Sequence, residues 1–232
     1  MKSGGNVLQP APTVSLSQRE VEMVEYQVVE QIGGAVQEDV QPRPTTQIVE
    51  LWPFQGEWSE ASYFTLPDTN RLIELSEGVF IMPPHPTETH QRILDALYAA
   101  MRSFVHEHDL GTIRFAPLPV RLWPGKIREP DILFVSRAHA DRIGEQCYGP
   151  PDLVVEVLSP GTRHTDRGRK MLEYARAGVS EYWLVDPDAG TIEVYTLDEG
   201  VYAPLGRFGA GQKAHSHVLS GFEVSVDKVF EG

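Results

Sequence analysis

Two short and almost uninterrupted apolar runs restrict what this chain of 232 residues can fold into. The runs are Asp131–Val135 (DILFV) and Asp152–Leu158 (DLVVEVL). Apolar runs of this length, without alternating polar residues, are typical of strands that are buried on both faces at the centre of a sheet. Helical patterns lie on both sides of the runs, so the sequence predicts an α/β fold with a mixed central sheet flanked by helices.

The segments around these runs give the order of the other elements. Residues 70–82 predict a hairpin that turns at Ser76-Glu77-Gly78. Thr87 is the candidate N-cap of a helix with an apolar stripe from Ile93 to Val105, and Gly111 is its predicted C-terminal stop. The remaining predicted elements are a strand-like stretch at 112–123, a helix at 165–177 capped by Thr165 or Asp166 and stopped by Gly178, a strand at 181–186, a hairpin that starts at 191–197, and two or three further short strands.

Composition separates the chain into two parts. Residues 1–45 mix Pro, Gly, Gln and Glu, and we interpret them as a poorly ordered or loosely docked arm ahead of one domain at 46–232. The single cysteine, Cys147, cannot form an internal disulfide. The sequence shows neither a secretory leader nor an apolar run of about 20 residues, so we expect a cytoplasmic protein without a membrane segment.

The net charge of −13 argues against a protein that coats nucleic acid, because phosphate binding normally needs a basic surface. The charge is uneven, however. Basic residues cluster in one short stretch, and a local basic rim beside an acidic site is compatible with the sequence. The members of this cluster are Arg163, Arg167, Arg169, Lys170 and Arg176.

Glu156 is the residue in these runs that most needs an explanation. It lies in a strand whose other side chains are apolar, and a carboxylate there costs several kcal/mol unless it is paired, hydrogen-bonded or bound to a cation. One interpretation is a buried salt bridge to an arginine. The other is a metal site shared with Asp131, which opens the neighbouring strand after Pro130. Two carboxylates and a backbone carbonyl, for which Val157 is the candidate, suit Mg²⁺.

Three further residues are candidates for the same site. Lys170 lies on the following helix, one turn after Asp166, where an ammonium group would stabilise a phosphorane and position the attacking water. Spacing alone fits a solvated helix lysine equally well. Glu74, in the predicted hairpin, and His90, on the inward face of the first helix, are each also compatible with a structural role.

These residues resemble the Uma-two family of restriction-endonuclease-like proteins, within the PD-(D/E)XK nuclease superfamily. The resemblance runs from about residue 52 to 201 and rests on three blocks: RLIELSEGVFIMPPHPTETHQRIL, EPDILFV and PPDLVVEVLSPGTRHTDRGRKMLEYARAGVSEYWLVDP. It implies a restriction-endonuclease-like core with extra β-hairpins. It also implies that Asp131 and Glu156 are the motif carboxylates. The motif lysine is replaced by Leu158, and Lys170 is the candidate to take its place.

The resemblance further implies that Glu74 and His90 line the cleft, Glu74 as an additional ligand. We therefore expect a Mg²⁺-dependent endonuclease, with Mn²⁺ as a substitute, that hydrolyses DNA. One alternative is a non-enzymatic DNA-binding or scaffold protein on a nuclease fold, linked to mobile elements. Another is a structural dimer built on the apolar hairpins. A homodimer is the default expectation, because cutting both strands of a duplex needs two sites.

Overall fold

A computed structural model describes residues 54–66 and 72–231, so the predicted arm at 1–45 and its boundary lie outside the described residues. The strands are β1 Glu74–Ser76, β2 Val79–Ile81, β3 Gly111–Phe115, β4 Val120–Trp123, β5 Lys126–Arg128, β6 Ile132–Ser136, β7 Leu153–Val157, β8 Glu181–Asp186, β9 Thr191–Asp198, β10 Val201–Phe208, β11 Lys213–His215 and β12 Glu223–Ser225. The helices are α1 Glu60–Phe64, α2 Glu88–Glu107, α3 at 163–177 and α4 Val226–Glu231.

The central sheet has six strands in the order β10-β9-β8-β7-β6-β3. Only β7 and β8 run parallel, and the other neighbours are antiparallel, so the sheet is mixed as predicted. A parallel pair needs a crossover between its strands, and α3 supplies it. A second sheet of four antiparallel strands, β2-β1-β5-β4, lies beside the central one, and β11 and β12 form a separate pair.

The two apolar runs form the neighbouring strands β6 and β7, and each of their faces packs against different elements. Val155 and Val157 belong to the cluster that contains the apolar stripe of α2, from Ile93 to Val105. Val154 and Leu158 belong to the cluster on the opposite face, with Tyr174 of α3. Both faces of the strands are therefore dry, which explains why the sequence shows no alternation there.

Thr87 caps α2 as predicted, because its side chain accepts a hydrogen bond from the amide of His90. The predicted end of this helix is wrong. The last helical residue is Glu107, Asp109 then adopts a positive φ of 54°, and Gly111 is the first residue of β3. The loop reverses direction two residues earlier than the glycine signal indicated.

The predicted stretch at 112–123 divides into two strands in different sheets. β3 pairs with β6 in the central sheet, whereas β4 pairs with β5 in the smaller one. Ala116-Pro117, a cis peptide, lies between them. The short strand β5 and the final helix α4 were not predicted, since three and six residues are too few for a clear periodic pattern.

Helix α3 differs from the prediction at its start. It begins with one α-helical turn, Arg163–Thr165, continues as a π-helical turn, Asp166–Lys170, and returns to α-helix at Met171–Ala177. Thr165 and Asp166 both have helical backbone angles, so neither caps the helix as predicted. Gly178 ends it in the left-handed conformation, as predicted, with φ 80°. Wide turns of this kind occur often at functional sites.

No helix within residues 54–66 and 72–231 combines the length and the apolar character that a bilayer crossing requires.

Candidate active site

Asp131 and Glu156 face each other across the ends of β6 and β7. The two strands are antiparallel, with Ile132 opposite Val155, and continuing this register places Asp131 opposite Glu156. Directly opposed residues of an antiparallel pair point to the same face. The expectation of two carboxylates on neighbouring buried strands is thus met by the geometry of the sheet.

Asp131 is held at both of its carboxylate oxygens. Oδ2 accepts a hydrogen bond of 2.7 Å from the backbone N–H of Val157, and Oδ1 lies 3.3 Å from Nε2 of His90. The first contact ties Asp131 to β7, and the second joins it to the first turn of α2. His90 therefore reaches the site because Thr87 starts the helix beside it.

Lys170 extends from α3 into a group of carboxylates. Its Nζ lies 3.0 Å from Oε1 of Glu156, 3.1 Å from Oδ1 of Asp166 and 3.7 Å from Oε1 of Glu74. The side chain is buried, so the alternative of a solvated helix lysine is wrong. The π-helical turn that ends at Lys170 positions the residue on the inward side of the helix.

Tyr174 and Asp166 belong to the same network, although the sequence analysis assigned neither of them to the site. Tyr174 donates a hydrogen bond of 2.7 Å to Oε1 of Glu156, and Asp166 pairs with Lys170. The signal was present in the spacing. Asp166, Lys170 and Tyr174 recur every four residues, which places them on one helix face.

Glu74 is fixed from the side opposite Lys170. Arg128, which is fully buried, binds Oε2 of Glu74 at 2.5 Å and also contacts Glu173 of α3 at 2.6 Å. Glu173 in turn accepts a hydrogen bond from Lys126. This chain of buried ion pairs links the smaller sheet to α3 and leaves Oε1 of Glu74 on the side of Lys170.

Glu129 is a carboxylate at the site that the sequence reasoning missed. It precedes Pro130, is buried at 8% exposure, and accepts a hydrogen bond of 2.8 Å from the hydroxyl of Tyr63. Burial raises its pKa to about 7, the neighbouring charge of Glu74 acts in the same direction, and the bond from Tyr63 acts against it. Its position two residues before Asp131, in a buried segment, was the available signal.

The buried ionisable groups of the site shift one another's pKa values. Burial raises the pKa of Glu156 well above its usual range; Lys170 opposes this shift, and the neighbouring carboxylates add to it. Burial alone would lower the pKa of Lys170, but the carboxylates, Glu156 foremost, hold that pKa well above its usual value. For Glu74, Lys170 and Arg128 outweigh the effect of burial and lower the pKa. Asp131 raises the pKa of His90 against the effect of burial.

All five predicted site residues line one cavity of about 240 Å³. They are Glu74, His90, Asp131, Glu156 and Lys170, and Val157 and Glu129 line the same cavity. The rim includes Ser159, Thr162 and a proline-rich segment at 83–86. The sequence thus identified a set of residues that the fold brings together from β1, α2, the β6 and β7 ends, and α3.

Carboxyl groups outnumber the fixed cations at the cavity. Five carboxyl groups lie in it or directly beside it, against the two fixed cations Lys170 and Arg128. The carboxyl groups are those of Glu74, Glu129, Asp131, Glu156 and Asp166. Burying them together in the ionised form is costly unless a proton or a further cation neutralises them. Oxygen donors with a surplus of negative charge suit a hard divalent cation.

The donor set fits such a cation in its chemistry, and a further observation agrees. Oε2 of Glu129 is buried and has no hydrogen-bond partner among the described residues. In the present side-chain positions, no three His, Cys, Asp or Glu residues within 54–66 and 72–231 are close enough to hold one metal ion. Cation binding at this cavity therefore depends on two carboxylates with a backbone carbonyl, or on rotation of a further side chain.

The basic cluster of the sequence does not form one continuous surface. Arg163 pairs with Asp186 and Asp188, and Arg167 pairs with Asp186 and Glu193. Lys170 points into the cavity, and the guanidinium group of Arg176 lies 4.4 Å from the ring centroid of Trp123. A basic rim made of these residues is thus largely neutralised or stacked.

The fold has a solved counterpart. The structure is similar to a crystal structure described as "a putative nuclease belonging to DUF820 from Anabaena variabilis ATCC 29413", with a TM-score of 0.63 and 22% sequence identity. The alignment covers 75% of this chain and 98% of the other chain. At this identity the similarity shows the fold alone, and it confirms the predicted nuclease-like α/β architecture.

No curated protein matches the sequence. A family profile described as "Putative restriction endonuclease" matches residues 60–227, a range that includes every residue of the site. The match covers most of the chain and confirms the resemblance seen in its motifs. The chain therefore belongs to the Uma2 (Uma-two) family.

Proposed function

We propose that this chain is a divalent-metal-dependent endonuclease that hydrolyses DNA phosphodiester bonds. The observation that carries the proposal is the buried Lys170 ammonium group, 3.0 Å from Glu156, beside the Asp131 carboxylate in an open cavity. A carboxylate pair at the ends of two central strands with a lysine next to it is an arrangement suited to phosphoryl transfer. The family description supports nucleic acid as the substrate.

Asp131 and Glu156 would hold the cation, with the carbonyl of Val157 as a third donor and Glu74 as an additional ligand. Mg²⁺ matches these oxygen donors, and Mn²⁺ is a suitable substitute. When bound, the cation supplies Lewis-acid polarisation of the phosphate and a bound water of lowered pKa.

The residues of the chain have separate tasks in this proposal. Lys170 donates hydrogen bonds to a phosphate oxygen and to the attacking water, and its raised pKa keeps it charged while it does so. Tyr174 fixes the Glu156 carboxyl group through its hydroxyl. His90 fixes Asp131 from α2. The positions of the two carboxylates are therefore set by neighbours that lie on different elements.

The site favours an enzyme over a scaffold that only binds DNA. A binding scaffold needs basic groups on its surface, whereas the arginines of α3 are mostly paired with carboxylates. A binding scaffold also does not require a buried lysine among three carboxylates, and burying these groups costs desolvation energy. Cleavage of both strands of a duplex needs two such sites, and we propose a homodimer for this reason.

The test is cleavage of supercoiled plasmid with Mg²⁺ or Mn²⁺ by the wild type, Glu156→Gln and Lys170→Met. Glu193→Gln is the matched control, since Glu193 is a buried carboxylate that pairs with Arg167 outside the cavity. The proposal expects metal-dependent cleavage by the wild type and the control and its loss in both cavity variants. Cleavage that survives Glu156→Gln refutes the mechanism. If the wild type binds DNA with steep salt dependence but never cuts it, the scaffold alternative replaces it.

A further inference from the structure

Glu129 combines deep burial with an incomplete set of partners. One carboxylate oxygen, Oε1, accepts the hydroxyl proton of Tyr63 at 2.8 Å. The other, Oε2, is inaccessible to solvent and has no hydrogen-bond partner among the described residues. The backbone N–H of Ile73 lowers the pKa of the Glu129 carboxyl group, but it makes no hydrogen bond to Oε2. A buried carboxyl oxygen without a hydrogen-bond partner is costly, most of all when the group is ionised, so its presence needs an explanation.

No cationic side chain within residues 54–66 and 72–231 contacts this oxygen. Arg128 is adjacent in sequence, but its guanidinium group is directed to Glu74 and Glu173. Lys170 contacts Glu156, Asp166 and Glu74. The buried cations around the cavity, Arg128, Lys170 and Lys126, are thus shared among other carboxylates, and no salt bridge among the described residues accounts for Glu129.

The location of Glu129 connects it to the proposed metal site. It lies two residues before Asp131, and in an extended segment residues at this spacing point to the same side. Both residues line the same cavity, together with Glu156. Tyr63 restrains only Oε1, so a rotation of the Glu129 carboxyl group about this contact would bring Oε2, which is buried in the present side-chain position, to a group that enters the cavity.

We propose that Glu129 is a further carboxylate ligand of the divalent cation in this cavity, that its carboxyl group rotates to bind through Oε2, and that Tyr63 holds Oε1 while it does so. The inference deepens the proposed function and rests on it, since it adds a ligand to the site of Asp131 and Glu156. It also assigns a role to α1, because Tyr63 of this helix is what restrains the ligand from the side away from the cation.

The test uses Tb³⁺, an oxygen-seeking luminescent probe for such sites, with the full-length protein. Two quantities are measured: the dissociation constant, and the number of bound waters from luminescence lifetimes in H₂O and D₂O. The variants are Glu129→Gln, Tyr63→Phe and Asp131→Asn, with Glu193→Gln as the control outside the cavity. Gln retains the shape of Glu129 and can still accept the Tyr63 hydrogen bond, and thermal unfolding without metal checks the fold of each variant.

We expect Glu129→Gln to weaken Tb³⁺ binding about tenfold or more and to add bound water, because an inner ligand is replaced by solvent. Tyr63→Phe keeps the carboxylate and should weaken Tb³⁺ binding less than Glu129→Gln does. If Glu129→Gln does not fold, the Tb³⁺ affinity of Tyr63→Phe tests the proposal instead. Unchanged affinity and hydration in Glu129→Gln, with binding lost in Asp131→Asn, overturn the role of Glu129 alone. If Asp131→Asn also binds normally, the metal site itself is wrong.

Discussion

Two buried glutamates on the parallel strands β7 and β8 differ in how completely their carboxylate oxygens are hydrogen-bonded. Glu181 is completely buried, and four donors satisfy its two oxygens: the indole of Trp183, the hydroxyl of Ser216, and the amides of His217 and Val218. Glu156 is 4% exposed, and its contacts with Tyr174 and Lys170 both fall on Oε1. One carboxylate is fully partnered, and the other is not.

In our proposal, this difference separates a carboxylate with a structural role, Glu181, from one that binds a cation, Glu156. The donors around Glu181 join the loop after β11 to the central sheet. Their hydrogen bonds satisfy both oxygens of the carboxyl group within the protein. Around Glu156 the closest neighbours include three other carboxylates, which raise its pKa instead of offsetting its charge. A protein keeps such an arrangement where a ligand completes it. The same substitution, Glu to Gln, can be made at both positions to test the contrast.

The largest effect is expected from Glu156→Gln on plasmid cleavage. Loss of a cation ligand should lower the Mg²⁺-dependent rate on the order of 10³-fold, equivalent to about 4 kcal/mol of transition-state stabilisation. The metal-free variant should unfold at a somewhat lower temperature, because the buried Lys170 loses its pairing with Glu156 and keeps only Asp166 and Glu74. Cleavage at the wild-type rate, measured where the variant is folded, would contradict this assignment.

The matched change Glu181→Gln should affect stability and leave the chemistry intact. The NH₂ group of the glutamine would face N–H and O–H donors that now bind the Glu181 carboxylate. We therefore expect a loss of about 3 kcal/mol in the free energy of unfolding. For a domain of this size the melting temperature should fall by roughly 6–12 °C, as calorimetry would show. At a temperature where the variant is folded, its cleavage rate should equal that of the wild type. A rate loss comparable to that of Glu156→Gln would remove the distinction between the two residues.

The pH dependence of metal binding tests the electrostatic side of the contrast. The cation competes with the proton for Glu156, whose pKa is raised by burial, so affinity should fall as the pH is lowered through that raised value. The fall approaches tenfold per pH unit, about 1.4 kcal/mol, where the group is protonated. Calorimetric titration of Mg²⁺ in buffers of different ionisation enthalpy also measures the released protons. Binding that is independent of pH from 5 to 8 would exclude a protonated Glu156 in the metal-free state.

The smallest effect is expected in the ion pairs at the surface of α3. Arg167 pairs with Asp186 and Glu193 but is partly exposed. Arg167→Gln should therefore change the free energy of unfolding by less than about 1 kcal/mol, and less still in high salt. Cleavage should stay within about twofold of the wild type. A large activity loss would show that this arginine contacts DNA in spite of its carboxylate partners.

The sequence predicted which residues meet at the cavity because a buried charge is visible within an apolar pattern. Glu156 was identified from the cost of burying a carboxylate in an apolar strand, and Asp131 from that neighbour and from the family motif. The register of β6 and β7 places the two residues opposite each other. The sequence left two interpretations of Lys170, a residue of the site or a solvated helix lysine, because spacing along a helix does not show which face turns inward. Only the π-helical turn at Asp166–Lys170 settles that direction, and it has no sequence signature.

The residues missed in the sequence are those whose partners are far apart along the chain. Glu129 is recognisable only once Tyr63 is seen beside it, 66 residues earlier. Arg128 connects Glu74 of the same small sheet with Glu173 of α3, and no local pattern indicates such a bridge. The division of 112–123 between two sheets has a similar cause, since the pairing of a strand depends on partners that lie elsewhere in the chain.

The central claim, that Asp131 and Glu156 share a divalent cation, is tested most directly by a crystal soaked in Mn²⁺ and measured at an anomalous wavelength. The predicted result is one strong anomalous peak in the cavity, about 2.1 Å from carboxylate oxygens of both residues, and its loss in Glu156→Gln. Crystals that show no peak in this cavity at millimolar Mn²⁺, or show it only at carboxylates outside the cavity, would contradict the claim.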